Sequence, residues 1–201
     1  MRYYSGNDGN PALREIAKDF NIGILITFPH YRNPDREPKT FYALDNGAFS
    51  AYINSRDADF SKYPDFIKRY DQPDFVVVPD LVAQGMKSLK FSLKWMNKLP
   101  EGYSYYLAVQ NGMINREVGK VIQHFAGLFV GGTIDWKKKS AKEWIELAHR
   151  HDKKCHIGRI GTWQDILWAK RLGADSIDST SWAHNGSYYH IEYAESQEIF
   201  E

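Results

Sequence analysis

Short apolar runs that end in a polar residue or a glycine recur along the chain, and segments of helical periodicity separate most of them. Runs of this length, bounded by turn residues, are typical of strands buried on both faces. The pattern predicts strands at residues 2–5, 22–28, 41–44, 75–78, 105–109, 127–130, 156–160 and 176–178. It predicts helices at residues 11–19, 63–70, 84–98, 115–124, 141–151, 163–172 and 190–200.

Strands that alternate with helices form parallel sheets with right-handed crossovers. Eight such strands favour an α/β fold of the closed (βα)8 type, a compact TIM-type barrel that occupies residues 1–201 as a single domain. An open doubly wound sheet is the alternative. The sequence does not support a nucleotide-binding doubly wound fold, because its two phosphate-binding motifs are missing. No Gly-x-Gly-x-x-Gly follows the first strand, and no Gly-Lys-Ser/Thr occurs.

The amino-acid composition limits which kinds of partner the protein is expected to bind. The 26 basic residues nearly balance the 25 acidic ones, so any contact with nucleic acid needs a local basic patch. The single cysteine, Cys155, excludes an internal disulfide and a multi-cysteine zinc site. We find no signal peptide, and no apolar run approaches the ~20 residues of a membrane span. We therefore expect a cytoplasmic protein without a metal site or a membrane partner.

Three predicted strands end in or next to an aspartate: Asp45, Asp80 and Asp178. In a (βα)8 barrel, residues at the carboxyl ends of the strands point into one shared mouth. Two carboxylates there suit glycosyl transfer, in which one attacks the anomeric carbon and the other moves the proton of the leaving or arriving group. An aspartate at a strand end can instead simply cap the following loop. We predict that Asp178 and Asp45 are the two catalytic acids.

Other residues near the strand ends suit a planar ligand. Gln110 offers an amide donor and acceptor together, and Gly131 with Gly132 permits close approach of a ligand to the backbone. Phe49 has a ring that can stack on a base. Each also has an ordinary structural explanation, as a loop hydrogen-bonding residue, a tight turn or a core side chain.

Basic residues near the same end are predicted to contact nucleic-acid phosphates. They are Lys137, Lys138 and Lys139, in a loop after the sixth strand, and Arg159 in the seventh. The next helix is predicted to begin after Ser140 as its N-cap, with Glu143 completing a capping box. A solvated basic surface is the alternative explanation for the lysines.

Four segments resemble, in order, motifs of the tRNA-guanine transglycosylase superfamily. Residues 45–50 (Asp-Asn-Gly-Ala-Phe-Ser) are similar to Asp-Ser-Gly-Gly-Phe-Gln, and residues 109–112 (Val-Gln-Asn-Gly) to Val-Gln-Gly-Gly. Residues 127–132 (Gly-Leu-Phe-Val-Gly-Gly) resemble Gly-Leu-x-Val-Gly-Glu, and residues 173–179 (Gly-Ala-Asp-Ser-Ile-Asp-Ser) resemble Gly-x-Asp-x-Phe-Asp-Cys. Asp80 stands where the family has a base-reading aspartate. The resemblance covers most of the chain.

The resemblance implies base exchange at a guanine nucleotide, without an organic cofactor. Asp178 would be the nucleophile that forms a covalent glycosyl–enzyme intermediate at C1′. Asp45 would be the general acid/base for the leaving guanine and the incoming base. The residues that would bind the base are Asp80, Gln110, Gly131, Gly132, Asn46 and Phe49.

The chain departs from the tRNA-acting members of the family. It has no cysteine after Cys155 for their zinc subdomain, Ser-Trp-Ala at 181–183 replaces Pro-Thr-Arg, and Gly132 replaces a glutamate. A compact, zinc-free version is similar to the phage and bacterial branch that inserts 7-deazaguanine bases into DNA. The resemblance therefore favours DNA over tRNA as the nucleic-acid partner and a 7-deazaguanine as the small-molecule substrate.

Two other functions stay open on the sequence alone. The same carboxylates would serve a nucleoside or base hydrolase that uses water as the acceptor. A barrel that binds a nucleobase without turnover is the other alternative. The sequence also leaves open whether a second copy of the chain or a partner subunit takes part.

Overall fold

In the computed structural model, the described residues are 1–6, 20–30 and 41–197. They contain a closed barrel of eight parallel strands, in which each strand pairs with the next and the last pairs with the first. The prediction of a (βα)8 barrel is confirmed. The strands are β1 Arg2–Gly6, β2 Gly23–Thr27, β3 Tyr42–Asp45, β4 Val76–Val77, β5 Tyr105–Val109, β6 Gly127–Val130, β7 Lys154–Ile157 and β8 Ser176–Ser179.

Helices follow most of the strands. In the described part of the chain they are Ala48–Ile53, Tyr63–Ile67, Met86–Met96, Asn115–Gly119, Ile134–Arg150, Trp163–Arg171, Ser181–Asn185 and Tyr189–Ser196, with a 3-10 turn at Ile122–His124. None of these helices combines the length and the apolar character needed to cross a membrane. The prediction of a helix at residues 11–19 and the end of the last predicted helix lie outside the described residues.

Both faces of the strands are buried, which explains their nearly continuous apolar sequence. Residues such as Tyr4, Leu25 and Tyr106 form a buried cluster separate from the larger cluster that includes the helices. The strand register aligns Tyr4 with Asp178 and Thr27 with Asp45. Both predicted catalytic acids therefore lie near the carboxyl ends of their strands, as the sequence predicts.

The long helix after β6 begins earlier than predicted. Thr133 is its N-cap, and the Thr133 hydroxyl oxygen accepts a hydrogen bond from the Trp136 amide at 3.3 Å. Ser140 lies inside the helix, where its hydroxyl donates to the Trp136 carbonyl at 2.8 Å. The predicted Ser140 cap with Glu143 is therefore wrong, and so is the loop predicted for residues 137–139.

Two short helices that the sequence pattern did not predict follow β3 and β8. Ala48–Ile53 begins directly beyond Asp45, and Ser181–Asn185 begins shortly beyond Asp178. Trp182 in the second helix is fully buried, and its indole N–H donates to the Gly161 carbonyl at 2.9 Å. This contact ties the segment after β8 to the loop after β7, on the side of the barrel that carries Asp178.

Candidate active site

A cavity of about 820 Å³ lies at the carboxyl ends of the strands. Its volume falls in the range of ~300–1,000 Å³ that is usual for sites that hold small molecules. Both predicted catalytic acids and all six predicted base-binding residues line it, although they come from widely separated parts of the sequence. These residues are Asp45, Asn46, Phe49, Asp80, Gln110, Gly131, Gly132 and Asp178, and Arg159 joins them.

Asp178 lies at the inner wall of this cavity. Its Oδ1 accepts hydrogen bonds from His156 Nε2 at 2.9 Å and from the Arg159 amide at 3.3 Å. Its Oδ2 has no hydrogen-bond partner among the residues that the structure describes. Two donors on one oxygen fix the orientation of the carboxylate. The other oxygen is left available to a ligand in the cavity.

Asp45 is the second acid of the cavity and lies at the end of β3. Burial raises the pKa of Asp45 to about 7, and the negative charges of Asp178 and Asp80 add to this shift. The amides of Gly47 and Asn46 oppose it by hydrogen bonding to the carboxylate. A carboxyl group with this pKa is suited to donate and accept protons near neutral pH.

The turn beyond Asp45 depends on a glycine. Gly47 has φ 76°, and a Cβ at this position would lie 2.1 Å from the Phe28 carbonyl oxygen. Any other residue would have to move this backbone. The Gly47 amide hydrogen-bonds to Asp45 Oδ2 at 3.3 Å, so the same turn helps to orient the carboxylate.

Asp80 is held by two side-chain amides. Asn46 Nδ2 donates to Asp80 Oδ1 and Gln110 Nε2 donates to Asp80 Oδ2, both at 2.9 Å. Burial raises the pKa of Asp80 to about 6, whereas these two hydrogen bonds lower it. The carboxylate is therefore a fixed acceptor at the edge of the cavity, as a residue that reads a purine N–H would have to be.

Gln110 has no free amide edge, contrary to the prediction that it offers one to a purine. Its Oε1 accepts from the Ala83 amide, and its Nε2 also donates to the Leu81 carbonyl and to Ser88 Oγ, both at 3.0 Å. Asn46 is similar, because its Oδ1 accepts from the Ala48 amide at 2.8 Å. Both amides position Asp80 and the adjacent loops.

We expect Gln110→Ala to lower the free energy of unfolding by ~1–3 kcal/mol, because it leaves buried polar partners unsatisfied. Urea unfolding followed by circular dichroism measures the change. Gln123→Ala is the matched control, since Gln123 is exposed and, among the described residues, hydrogen-bonds only to Lys120 and His124. Equal stability of the two variants would contradict this role of Gln110.

Gly131 and Gly132 form the part of the wall that follows β6. The Gly131 amide donates to the Val109 carbonyl at 2.9 Å, and the Gly132 carbonyl accepts from the Arg159 guanidinium. The Gly131 carbonyl and the Gly132 amide have no hydrogen-bond partner within the described residues. Gly132 has φ 73°, and a Cβ there would lie 2.6 Å from Asn111 Oδ1. The backbone of both glycines therefore lines the cavity with these two groups unbonded among the described residues.

Arg159 reaches across the cavity. Its guanidinium carbon lies 3.9 Å above the centre of the Phe49 ring, a cation–π contact. Burial lowers the pKa of Arg159, and the negative charge of Asp178 opposes this shift. Phe49 remains about one-third exposed, at 36%. The pair offers a cation and an aromatic ring at the cavity, as the predicted contacts with phosphate and base require.

The three lysines that were predicted to contact phosphates lie in different surroundings. Lys137 is buried, and its ammonium donates to the Gly158 carbonyl. Burial lowers the pKa of Lys137 to about 7, with a further contribution from the charge of Arg159. Lys138 pairs with Asp165 and lies 4.0 Å above the Trp168 ring, and Lys139 is exposed. Lys138 and Lys139 remain candidates for phosphate contact, but Lys137 does not.

Sequence reasoning assigned no role at the site to three histidines near the acids. His30 and His184 line the cavity, and His156 lies below Asp178. None has a motif spacing, so only the closure of the barrel brings them there. Within residues 1–6, 20–30 and 41–197, no three His, Cys, Asp or Glu side chains are grouped as a metal site would require.

Comparison with known proteins does not assign the chain to a family. Neither the protein-family models nor the curated proteins that were searched contain a match to the chain.

Proposed function

We propose that the protein is a transglycosylase that replaces guanine in nucleic acid, DNA in preference to tRNA, with a 7-deazaguanine base. The observation that carries the proposal is the position of Asp178 and Asp45 in one cavity, where Asp178 Oδ2 has no hydrogen-bond partner among the described residues. The choice of guanine and a 7-deazaguanine as the exchanged bases comes from the motif resemblance. The cavity has a volume suitable for a small-molecule ligand.

In the first half of the proposed reaction, Asp178 Oδ2 attacks C1′ of the target nucleotide. The C1′–N9 bond breaks, and its electron pair goes to the departing guanine. Protonated Asp45 donates a proton to that guanine, which leaves as a neutral base. The products are a glycosyl ester on Asp178 and an ionised Asp45.

In the second half, the 7-deazaguanine occupies the position of guanine. Ionised Asp45 removes the proton from the ring nitrogen of the incoming base. That nitrogen attacks C1′, the C1′–Oδ2 bond breaks, and Asp178 recovers its negative charge. Asp45 is then protonated again and ready for another cycle. Every proton and charge is returned without a cofactor.

Asp80 and the exposed backbone of Gly131 and Gly132 are proposed to recognise the base. A target base must leave its stack to reach such a cavity. Phe49 would stack on it or on its neighbour, while Arg159 would contact a phosphate. The preference for DNA rests on the resemblance alone.

The proposal is tested by incubating the protein with guanine-containing DNA, or with tRNA, and radiolabelled guanine or 7-deazaguanine. We expect label in DNA. Label in tRNA alone would reverse the choice of polymer, and release of free guanine without incorporation would indicate a hydrolase. Binding of the base without incorporation or release would indicate a barrel without turnover.

A further inference from the structure

His156 is a buried polar residue inside an otherwise largely apolar barrel. It has no exposed surface, and it stacks on Phe129 at a ring-centre distance of 4.6 Å. Phe75 and Tyr4 contact its ring at 5.1 and 5.9 Å. Branched apolar side chains usually fill such a position in a (βα)8 barrel, and burying an imidazole is unfavourable unless its nitrogens are hydrogen-bonded.

Both ring nitrogens of His156 contact the same neighbouring strand. Nε2 is 2.9 Å from Asp178 Oδ1, and Nδ1 is 2.8 Å from Ser176 Oγ. Ser176 and Asp178 are two residues apart on β8 and therefore face the same side of it. The three side chains form a continuous hydrogen-bonded column that runs from the interior of the barrel to the cavity.

We infer that His156 is a positioning residue, which holds Asp178 through an Nε2–H donor while Ser176 hydrogen-bonds to the other ring nitrogen. The inference rests on the proposed role of Asp178 as the nucleophile. A carboxylate oxygen can only accept, so the nitrogen that bonds to Asp178 must carry a proton. The Ser176 hydroxyl is able to donate to the remaining nitrogen, and this favours the tautomer with the proton on Nε2.

This arrangement acts mainly on the breakdown of the covalent intermediate. When Oδ2 forms the bond to C1′, Asp178 loses its charge and Oδ1 becomes an ester carbonyl oxygen. When the ester breaks, negative charge returns to the carboxylate, and the hydrogen bond from Nε2–H becomes stronger. His156 therefore stabilises the departing carboxylate in the second half of the reaction more than it stabilises the ester.

The kinetic test follows breakdown of the adduct. Protein with a labelled DNA adduct is chased with excess guanine, and the decay is followed on a denaturing gel. We expect His156→Leu to lengthen the lifetime of the adduct roughly 10- to 100-fold, the range for a hydrogen bond to a charged group. His156→Gln should recover much of the wild-type rate, because its amide can donate to Asp178. His124→Gln, a change at an exposed histidine, is the control.

A folded His156→Leu variant whose adduct decays at the wild-type rate would overturn the inference. Circular dichroism and binding of 7-deazaguanine report whether the variant is folded. If it is not, Ser176→Ala replaces it. That variant should slow decay by about fivefold, since a neutral hydrogen bond contributes less than a charged one. A wild-type rate in Ser176→Ala would then count against the column.

A second measurement does not depend on turnover. In protein labelled with ¹⁵N-histidine, the His156 resonances are assigned by their loss in His156→Gln. We expect a proton on Nε2 of the free protein at pH 7.5. An unprotonated Nε2 would overturn the inference whether or not the protein is a transglycosylase. Conversely, a wild-type protein that forms no adduct with DNA or tRNA would contradict the proposed function, while the ¹⁵N spectrum still decides whether His156 donates to Asp178.

Discussion

Asp178→Asn is expected to abolish the covalent adduct and to lower base exchange on the order of 10⁴–10⁶-fold, the range seen when a nucleophile is removed. The amide has nearly the shape of the carboxylate but is a very poor nucleophile. The adduct is measured with labelled DNA on a denaturing gel, and exchange by incorporation of labelled base.

The variant should remain folded and should bind 7-deazaguanine. The substitution removes one of the negative charges that raise the pKa of Asp45, so the pKa of Asp45 should be lower in this variant than in the wild type. Asp57→Asn is the matched control, because Asp57 is an exposed aspartate outside the cavity. A covalent adduct in Asp178→Asn at the wild-type level would exclude Asp178 as the nucleophile.

Much of the fold could be predicted because buried parallel strands have a simple sequence pattern. The predicted strands 105–109 and 127–130 match β5 and β6 in their bounds. The shared cavity could also be predicted, since barrel closure brings all the carboxyl ends of the strands together. This rule predicts that Asp45 and Asp178 lie in the same cavity even though they are far apart in the chain.

The error at Lys137 has a physical cause that the sequence does contain. Ala141, Trp144 and Ala148 are buried positions of the long helix, at the spacing of one helical face. Lys137 is one turn before Ala141 on that same face. Extending the apolar stripe backwards to the N-cap signal at Thr133 predicts both the earlier helix start and the inward direction of Lys137. Because Lys137 is followed by two more lysines, the segment was interpreted as a loop and not as the start of a helix.

The roles of Gln110 and Asn46 could not be predicted from their positions in the sequence. Both line the cavity, as predicted, but their amide groups are occupied by Asp80 and by backbone partners. The partners of these amides depend on how the loops after β3, β4 and β5 pack against one another in the folded barrel. A motif identifies which side chains lie near a site, but not whether each contacts the ligand or supports another residue.

Asp45 is expected to give the two half-reactions opposite pH dependences. Its raised pKa, about 7, means that the carboxyl group is protonated below this pH and ionised above it. Formation of the adduct requires a protonated Asp45, so its rate should fall as the pH rises through about 7. Breakdown by the incoming base requires an ionised Asp45, so its rate should fall as the pH is lowered.

The midpoints of the two profiles should also differ. The negative charge of Asp178 contributes to the raised pKa of Asp45, and this charge disappears when Asp178 becomes an ester. The pKa of Asp45 should therefore be lower in the adduct than in the free protein. We expect the midpoint for breakdown to lie below the midpoint for formation, so that both steps proceed near neutral pH.

Single-turnover rates of adduct formation and decay, measured from pH 5.5 to 9, test this prediction. Asp45→Asn should slow both steps by ~10²–10⁴-fold and flatten both profiles, because the amide carries no titrating proton. Asp57→Asn should keep both profiles of the wild type. If Asp45→Asn retained the two opposite profiles, another group would have to move the proton. The two midpoints differ in this way only if the group that moves the proton has a pKa that depends on the charge of Asp178. Asp45 meets this requirement, and each step leaves it in the protonation state that the next step needs.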